Sequence, residues 1–143
     1  MDYNVFFMNE LKDLCIDDKK YEFKLQILPR SVITETLIDS FVKGEGVYSG
    51  VPQFDGYYDP NTQTIYISKE CTNKENTITH EIRHAYQNVQ IIKYIKGMDL
   101  DEGVTKEIVI GWIEDNQNTE LSYNLKRHEI DAYTYADNKY PRY

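Results

Sequence analysis

The chain has 143 residues, of which 41% are apolar, 28% are charged and 13 are tyrosine, and its formal net charge at pH 7 is −8. This length and apolar content suffice for one hydrophobic core, so we expect residues 1–143 to form a single domain. The excess of negative charge argues against nucleic acid and anionic membranes as partners, because phosphate groups would be repelled over most of the surface.

The sequence also bears on the compartment of the protein. Residues 1–20 have neither the basic start nor the apolar run of a secretory signal, and no later stretch is long enough to span a bilayer. The two cysteines, Cys15 and Cys71, cannot form a disulfide framework, which fits a reducing compartment. We therefore expect a cytoplasmic protein that does not associate with membranes.

The N-terminal part of the chain predicts a helix, a strand and a second helix. A short amphipathic helix is indicated by the apolar residues Val5, Phe6, Leu11 and Leu14. Apolar and polar residues alternate over Tyr21–Leu28, which is typical of a half-buried strand, and Pro29 ends that strand. A second helix is expected from a cap at Ser31 to about Val42, ahead of two glycines.

Two tyrosine-rich runs, Gln53–Tyr58 and Gln63–Ser68, predict a β-hairpin. The residues between them, Asp59-Pro60-Asn61, are typical of a tight turn. The second strand, at Thr64–Ile67, either pairs with the extended backbone of a substrate or has a purely structural role.

The longest predicted helix begins at Asn73 or Asn76 and ends at Gly97. Its apolar residues recur at spacings of four and three and form one stripe, which consists of Ile78, Ile82, Ala85, Val89 and Ile92. His80 and His84 lie roughly 200° round the helix axis from that stripe. We therefore expect the stripe to pack in the core and the histidine face to remain free for chemistry.

Two further helices complete the prediction. The first covers Leu100–Trp112, with Val104 and Ile108 aligned with Trp112, and a polar break over Asn116–Thr119 follows it. The second covers Leu125–Asn138. Together the elements predict an α+β fold, in which a small antiparallel or mixed sheet packs on the long helix and the C-terminal helix lies beside it.

The long helix contains His80-Glu81-Ile82-Arg83-His84, which is the pattern H-E-x-x-H. On a helix this spacing places two imidazoles one turn apart, where both can bind one Zn²⁺ ion. Glu81 then lies beside the metal, where it can take a proton from zinc-bound water as that water attacks a carbonyl.

A catalytic zinc site usually has three protein ligands and leaves a fourth position for water. On the last predicted helix, small and polar residues suited to close packing share one face, namely Glu129, Ala132, Tyr133 and Ala136. Glu129, His128 and Asp131 are all candidates for the third ligand. Asp131 is expected either to accept the free N–H of a ligating histidine or to be a solvent-facing charge.

Other polar residues have two interpretations each. Gln87, one turn beyond His84, either hydrogen-bonds the last helix or is a packed polar residue. Three tyrosines are possible donors to the oxyanion that forms on carbonyl attack, although each also suits the core: Tyr86, Tyr123 and Tyr133.

Two motifs of this chain resemble the gluzincin division of zinc metallopeptidases. They are the H-E-x-R-H-x-x-Q pattern of His80–Gln87 and the later Glu129-Ile130-Asp131-Ala132 with Tyr135-Ala136. In particular the chain resembles small bacterial and phage proteins with this helix, and more distantly the ImmA/IrrE-type peptidases. The connection from His84 to Glu129 is longer than in the most compact members.

This resemblance implies a minimal zincin-like fold with Zn²⁺ as cofactor. Its ligands would be His80, His84 and Glu129, and Glu81 would be the general base. The expected function is therefore hydrolysis of a peptide bond in a protein or peptide substrate. The alternatives are a zincin-fold protein of phage or mobile-element type, which binds a host protein and has a structural or vestigial zinc site, and a chain whose histidines bind no metal.

Overall fold

The computed structural model describes residues 1–35 and 55–142, and within these residues the fold is α+β, as predicted. The elements in chain order are α1 (Tyr3–Asp13), β1 (Lys24–Leu28), α2 (described over residues 30–35), β2 (Gly56–Asp59), β3 (Thr64–Ser68), α3 (Lys74–Ile95), α4 (Lys106–Gln117) and α5 (Arg127–Lys139). A 3₁₀ turn at Tyr123–Leu125 precedes α5.

The three described strands form one mixed sheet in the order β1-β3-β2. β1 runs parallel to β3, whereas β2 and β3 form the predicted antiparallel hairpin. Its turn is closed by Asp59, whose Oδ1 accepts a hydrogen bond from the N–H of Asn61 at 2.9 Å. Because β3 is the central strand, both of its edges are already paired, and the structural interpretation of Thr64–Ile67 is the correct one.

α1 forms where predicted, and Phe6, Leu11 and Leu14 of the predicted residues pack in or against the core. Asp2 caps the helix by accepting the N–H groups of Asn4 and Val5. Phe7 and Leu11 are buried, whereas Val5 is exposed because it lies roughly 200° round the axis from Phe7. The expectation that Val5 contributes to the core was therefore wrong.

The predicted strand over Tyr21–Leu28 is shorter in the structure and begins at Lys24, but it ends before Pro29 as expected. α2 begins at Arg30, two residues earlier than a helix capped by Ser31 would, and the carbonyl of Pro29 accepts the N–H groups of Val32 and Ile33 in its first turn. Ser31 is therefore inside the helix and does not cap it. The predicted end of this helix lies outside the described residues.

α3 matches its prediction most closely. Asn73 is the cap, and Gly97, with φ of +70°, follows the helix in the left-handed conformation that glycine favours. Four members of the predicted stripe are buried against the sheet and α1, whereas Ile92 is exposed. The buried members are Ile78, Ile82, Ala85 and Val89.

The expectation that the histidine face of α3 remains free was wrong. His80, Glu81 and Gln87 are buried as well as the apolar stripe. α5 packs on α3, and its small residues Ala132 and Ala136 are fully buried, as their spacing predicted. Both faces of α3 are therefore covered, one by the sheet and the other by α5.

α4 differs from the prediction in position. It begins after Thr105, whose Oγ1 accepts the N–H of Ile108, and continues to Gln117 through part of the predicted polar break. Val109 and Trp112 are buried, whereas Ile108 is exposed. The local cap at Thr105 outweighs the apolar periodicity that placed the start at Leu100. α5 begins two residues later than predicted and ends at Lys139.

In the part of the chain that the structure describes, no helix is both long and apolar enough to cross a membrane. Cys15 and Cys71 are both free, the first exposed and the second buried.

Candidate metal centre

α3 and α5 bring two histidines and one carboxylate together. The Nε2 atoms of His80 and His84 lie 3.2 Å apart. Oε1 of Glu129 lies 3.1 Å from Nε2 of His80 and 3.0 Å from Nε2 of His84. The three atoms thus form a nearly equilateral triangle, although Glu129 is 45 residues from His84 in the sequence.

The size of this triangle suits a bound metal ion. Ligand atoms about 2.0–2.1 Å from a tetrahedral ion lie roughly 3.3 Å from one another. Among residues 1–35 and 55–142, His80, His84 and Glu129 are the one group of three such side chains whose ligand atoms are close enough together to hold an ion. The structure therefore shows a possible metal site at the three predicted ligands.

His128, the other candidate for the third ligand, lies at the margin of this group. Its Nε2 is 3.5 Å from Oε2 of Glu129, the carboxylate oxygen that is not part of the triangle, and its ring centroid is 5.8 Å from that of His84. Burial and the charge of His84 lower the pKa of His128 to about 4, so His128 is neutral at pH 7. Glu129, and not His128, completes the triangle.

The three side chains are largely removed from water. The exposed fraction is 7% for the side chains of His80 and Glu129 and 14% for that of His84. Burial by itself would lower the pKa of His84, but the charge of Glu129 and its hydrogen bond raise that pKa to about 9. The pKa of Glu129 lies well below its usual range because, in spite of burial, both histidines stabilise its charged form. The site therefore favours an ionised carboxylate that faces a positive charge.

Glu81 is buried next to the triangle but is not part of it. Burial raises the pKa of its carboxyl group above the ordinary value, against the opposing charges of His80 and His84. A carboxylate that has a raised pKa and lies close to two metal-ligand candidates is suited to accepting a proton beside a metal.

The three candidate tyrosines have different positions. The Tyr133 ring lies 4.3 Å from the His80 ring, between centroids. The pKa of Tyr123 is raised by burial and by the charges of Glu129 and Glu81. The hydroxyl of Tyr123 therefore lies near both carboxylates. Tyr86 is directed elsewhere, since its hydroxyl donates to Oδ2 of Asp101 at 3.1 Å. Tyr86 is thus no longer a candidate oxyanion donor.

Gln87 makes the hydrogen bond to the last helix that was one of its two expected roles, whereas Asp131 has neither of the expected histidine partners. Asp131 does not accept from a histidine. Its Oδ2 instead accepts from Nε2 of Gln87 at 2.8 Å, while Oε1 of Gln87 lies 2.9 Å from Nδ1 of His84. Gln87 does hydrogen-bond the last helix, because Nε2 also donates to the carbonyl of His128 at 2.8 Å.

Sequence reasoning missed the role of Arg83. Its guanidinium makes two hydrogen bonds to Asp131, from Nε to Oδ2 at 2.8 Å and from Nη2 to Oδ1 at 3.1 Å. The available signal was the arginine within the H-E-x-R-H pattern, on the helix that was expected to approach the one carrying Asp131.

Comparisons of the chain with protein-family models, with curated proteins and with solved structures found no match.

Proposed function

We propose that this chain is a zinc-dependent metallopeptidase of minimal zincin-like fold, in which His80, His84 and Glu129 bind Zn²⁺ and Glu81 is the general base. One observation carries the proposal: two imidazole nitrogens of the H-E-x-x-H helix and one carboxylate oxygen of α5 converge with separations of 3.0–3.2 Å. The proposed substrate is a protein or peptide, and the proposed location is the cytoplasm.

Hydrogen bonding alone is a poor explanation for the triangle. It would direct two ring N–H groups at the single oxygen Oε1 of Glu129 while the two nitrogens lie 3.2 Å apart, so that their hydrogens crowd each other. A cation at the centre of the triangle accepts one lone pair from each of the three atoms. Two imidazoles and one carboxylate form a donor set that Zn²⁺ takes in catalytic sites.

When bound, Zn²⁺ would supply Lewis-acid chemistry that polarises a carbonyl and lowers the pKa of water. Glu81 takes one proton from the water while the water oxygen attacks the carbonyl carbon. The raised pKa of Glu81 favours holding that proton. Glu81 then delivers the proton to the amine nitrogen as the C–N bond breaks. The proton balance of the hydrolysis is thereby complete without a second base.

A tyrosine hydroxyl is the proposed donor to the oxyanion that forms on the carbonyl. Tyr123 suits this role because its hydroxyl, protonated at neutral pH like that of any ordinary tyrosine, lies near Glu129 and Glu81.

The burial of the ligand set favours a second candidate function. With exposed fractions of 7% for His80 and Glu129, the site resembles a closed structural metal site as much as an open catalytic one. In that case the chain is a zincin-fold protein of phage or mobile-element type that binds a host protein, and its metal supports the fold.

Glu81→Gln separates the two functions. We expect the purified wild-type protein and E81Q each to bind one equivalent of zinc by elemental analysis, and only the wild type to cleave members of a peptide library detected by mass spectrometry. The matched control is Glu107→Gln, at an exposed position in the first turn of α4, which should cleave like the wild type. Zinc binding without cleavage by any of the three proteins would favour the binding function, and absence of stoichiometric metal would contradict both.

A further inference from the structure

We propose that Gln87, Asp131 and Arg83 form a relay that fixes the tautomer of His84, so that Nε2 of His84 carries the lone pair that faces the metal. In this relay Gln87 is a positioning residue, and the inference rests on the proposed metal site. It explains why the arginine and the glutamine of the H-E-x-R-H-x-x-Q motif lie where they do.

The orientation of the Gln87 amide is the first step. Its Nε2 lies 2.8 Å from the carbonyl oxygen of His128 and 2.8 Å from Oδ2 of Asp131. Both partners are acceptors, so they use the two hydrogens of the NH₂ group. A flipped amide would place an oxygen against two oxygens and lose both hydrogen bonds. The amide orientation is therefore determined by its surroundings.

The tautomer of His84 follows from this orientation. Oε1 of Gln87, 2.9 Å from Nδ1 of His84, is an acceptor only, so Nδ1 must carry a proton. An imidazole that ligates a metal is neutral and has one N–H, so with Nδ1 protonated the lone pair would be on Nε2 of His84. That atom is the one that lies 3.0 Å from Oε1 of Glu129 and 3.2 Å from Nε2 of His80.

Arg83 anchors the far end of the relay. Its two hydrogen bonds hold Asp131 in one orientation, and its guanidinium carbon lies 4.6 Å from the ring centroid of Tyr86 and 4.8 Å from that of Tyr135. The guanidinium thereby holds Oδ2 of Asp131 in place as an acceptor for Gln87, and its contacts with the two rings restrict its own movement.

The relay acts on one histidine only. Nδ1 of His80 is buried and has no hydrogen-bond partner among the residues that the structure describes. The orientation of His80 therefore depends on packing, for example against the Tyr133 ring at 4.3 Å, whereas His84 is set by hydrogen bonds that cross from α3 to α5. Loss of the relay should accordingly change the environment of His84 and leave that of His80 largely unaltered.

Zinc affinity, measured by competition with a chromophoric chelator, tests the relay. We expect Gln87→Leu to weaken Zn²⁺ binding roughly 10- to 100-fold, as is typical when the hydrogen-bond partner of a metal-ligating histidine is lost. Gln87→Glu should weaken binding at least as much, because a carboxylate cannot donate to the His128 carbonyl or to Asp131. If Gln87 were only an acceptor for His84, Gln87→Glu would bind zinc at least as tightly as the wild type, and the relay would be wrong.

Gln90→Leu is the matched control. Gln90 is a fully buried amide on the same helix, and its Oε1 accepts the N–H of Asp101 at 3.0 Å, away from the histidines. Its replacement should lower the thermal stability of the metal-free protein without changing zinc affinity. Equal affinity of the Gln87 variants and the wild type would overturn the relay but leave the proposed function intact, whereas a wild type that binds no zinc would overturn the proposed function itself.

Nitrogen NMR of the zinc-loaded wild type gives an answer that depends on no variant. We expect a His84 Nδ1–H signal that is protected from exchange with water, and Nε2 shifted as a metal ligand. A His84 ring that carries its proton on Nε2 would overturn the relay even if the Gln87 variants failed to fold.

Discussion

Arg83 of α3 and Asp131 of α5 form a two-pronged ion pair, with separations of 2.8 Å and 3.1 Å, across the interface that carries the metal site. The exposed fractions of the two side chains are 18% and 26%, so solvent screens this pair only in part. The pair joins the helix of the two histidines to the helix of the third ligand, and it is the connection whose geometry only arginine can provide.

Arg83→Lys should therefore lower the free energy of unfolding by about 1–3 kcal/mol, because lysine keeps the charge but cannot make both hydrogen bonds or replace the contacts of the guanidinium with the Tyr86 and Tyr135 rings. Urea denaturation of the metal-free protein measures this change. Arg30→Lys is the control, since the Arg30–Asp55 pair is about half exposed and should contribute less than about 1 kcal/mol. Equal losses for the two variants would mean that the Arg83 fork has no special role.

The identity of the third ligand can be tested by replacing Glu129 and His128 in two separate variants. Glu129→Gln should weaken zinc binding by more than the roughly 10- to 100-fold expected when a hydrogen-bond partner of a ligand is lost, because it removes both the charge of a ligand and a metal–oxygen bond. His128→Gln should keep one equivalent of zinc, because His128 is not part of the triangle and lies nearest to Oε2 of Glu129, the oxygen outside it. Isothermal titration with Zn²⁺ measures both, and the reverse result would make His128 the ligand.

Zinc should stabilise the folded protein, because an ion that joins α3 to α5 has no preformed site in the unfolded chain. At a free concentration one hundred times the Kd, the expected gain in unfolding free energy is about 2.7 kcal/mol. Thermal unfolding with and without a chelator measures the gain. E81Q should show the same gain as the wild type, because Glu81 is not a ligand, and His84→Asn should lose most of it. A chelator that leaves the melting temperature unchanged would contradict the metal site.

Asp115 should make stability depend on acid pH. Its carboxylate accepts the backbone N–H of Arg127 at 2.7 Å and the guanidinium at 2.8 Å and 2.9 Å, and it thereby caps α5, whose own N-cap residue Lys126 makes no side-chain cap. The hydrogen bonds to Arg127 lower the pKa of Asp115 from 3.8 to about 2. Because the folded pKa lies below the unfolded value, the stabilisation is complete above about pH 4 and is lost as pH falls to about 2.

Asp115→Asn should therefore cost about 1 kcal/mol at pH 7, less than the full shift implies because the Arg127 side chain is 57% exposed. The difference from the wild type should shrink between about pH 4 and pH 2. Denaturation curves of both proteins across this range measure it. A difference that is the same at pH 7 and at pH 2 would show that the charge of Asp115 does not cause the stabilisation.

Features set by neighbouring residues could be predicted from the sequence. The turn at Asp59 and the cap at Asn73 were correct because each depends on hydrogen bonds within three residues. The spacing of His80 and His84 on one face of a helix was equally secure, because helical periodicity alone places them one turn apart. The same local rules predicted the helices and strands of the described residues correctly. The largest error in a predicted boundary was at the start of α4.

Features that depend on contacts between distant residues were decided only by the tertiary structure. Periodicity showed which residues of α3 share a face, but not that α5 covers the histidine face, so the predicted free surface was wrong. The same limit applies to Asp131, whose charge was recognised but whose partners Arg83 and Gln87 are 48 and 44 residues away. Sequence determined that His80 and His84 lie together, whereas the approach of Glu129 to within 3.1 Å of both follows from the packing of two helices, in which long-range contacts fix what local propensity leaves open.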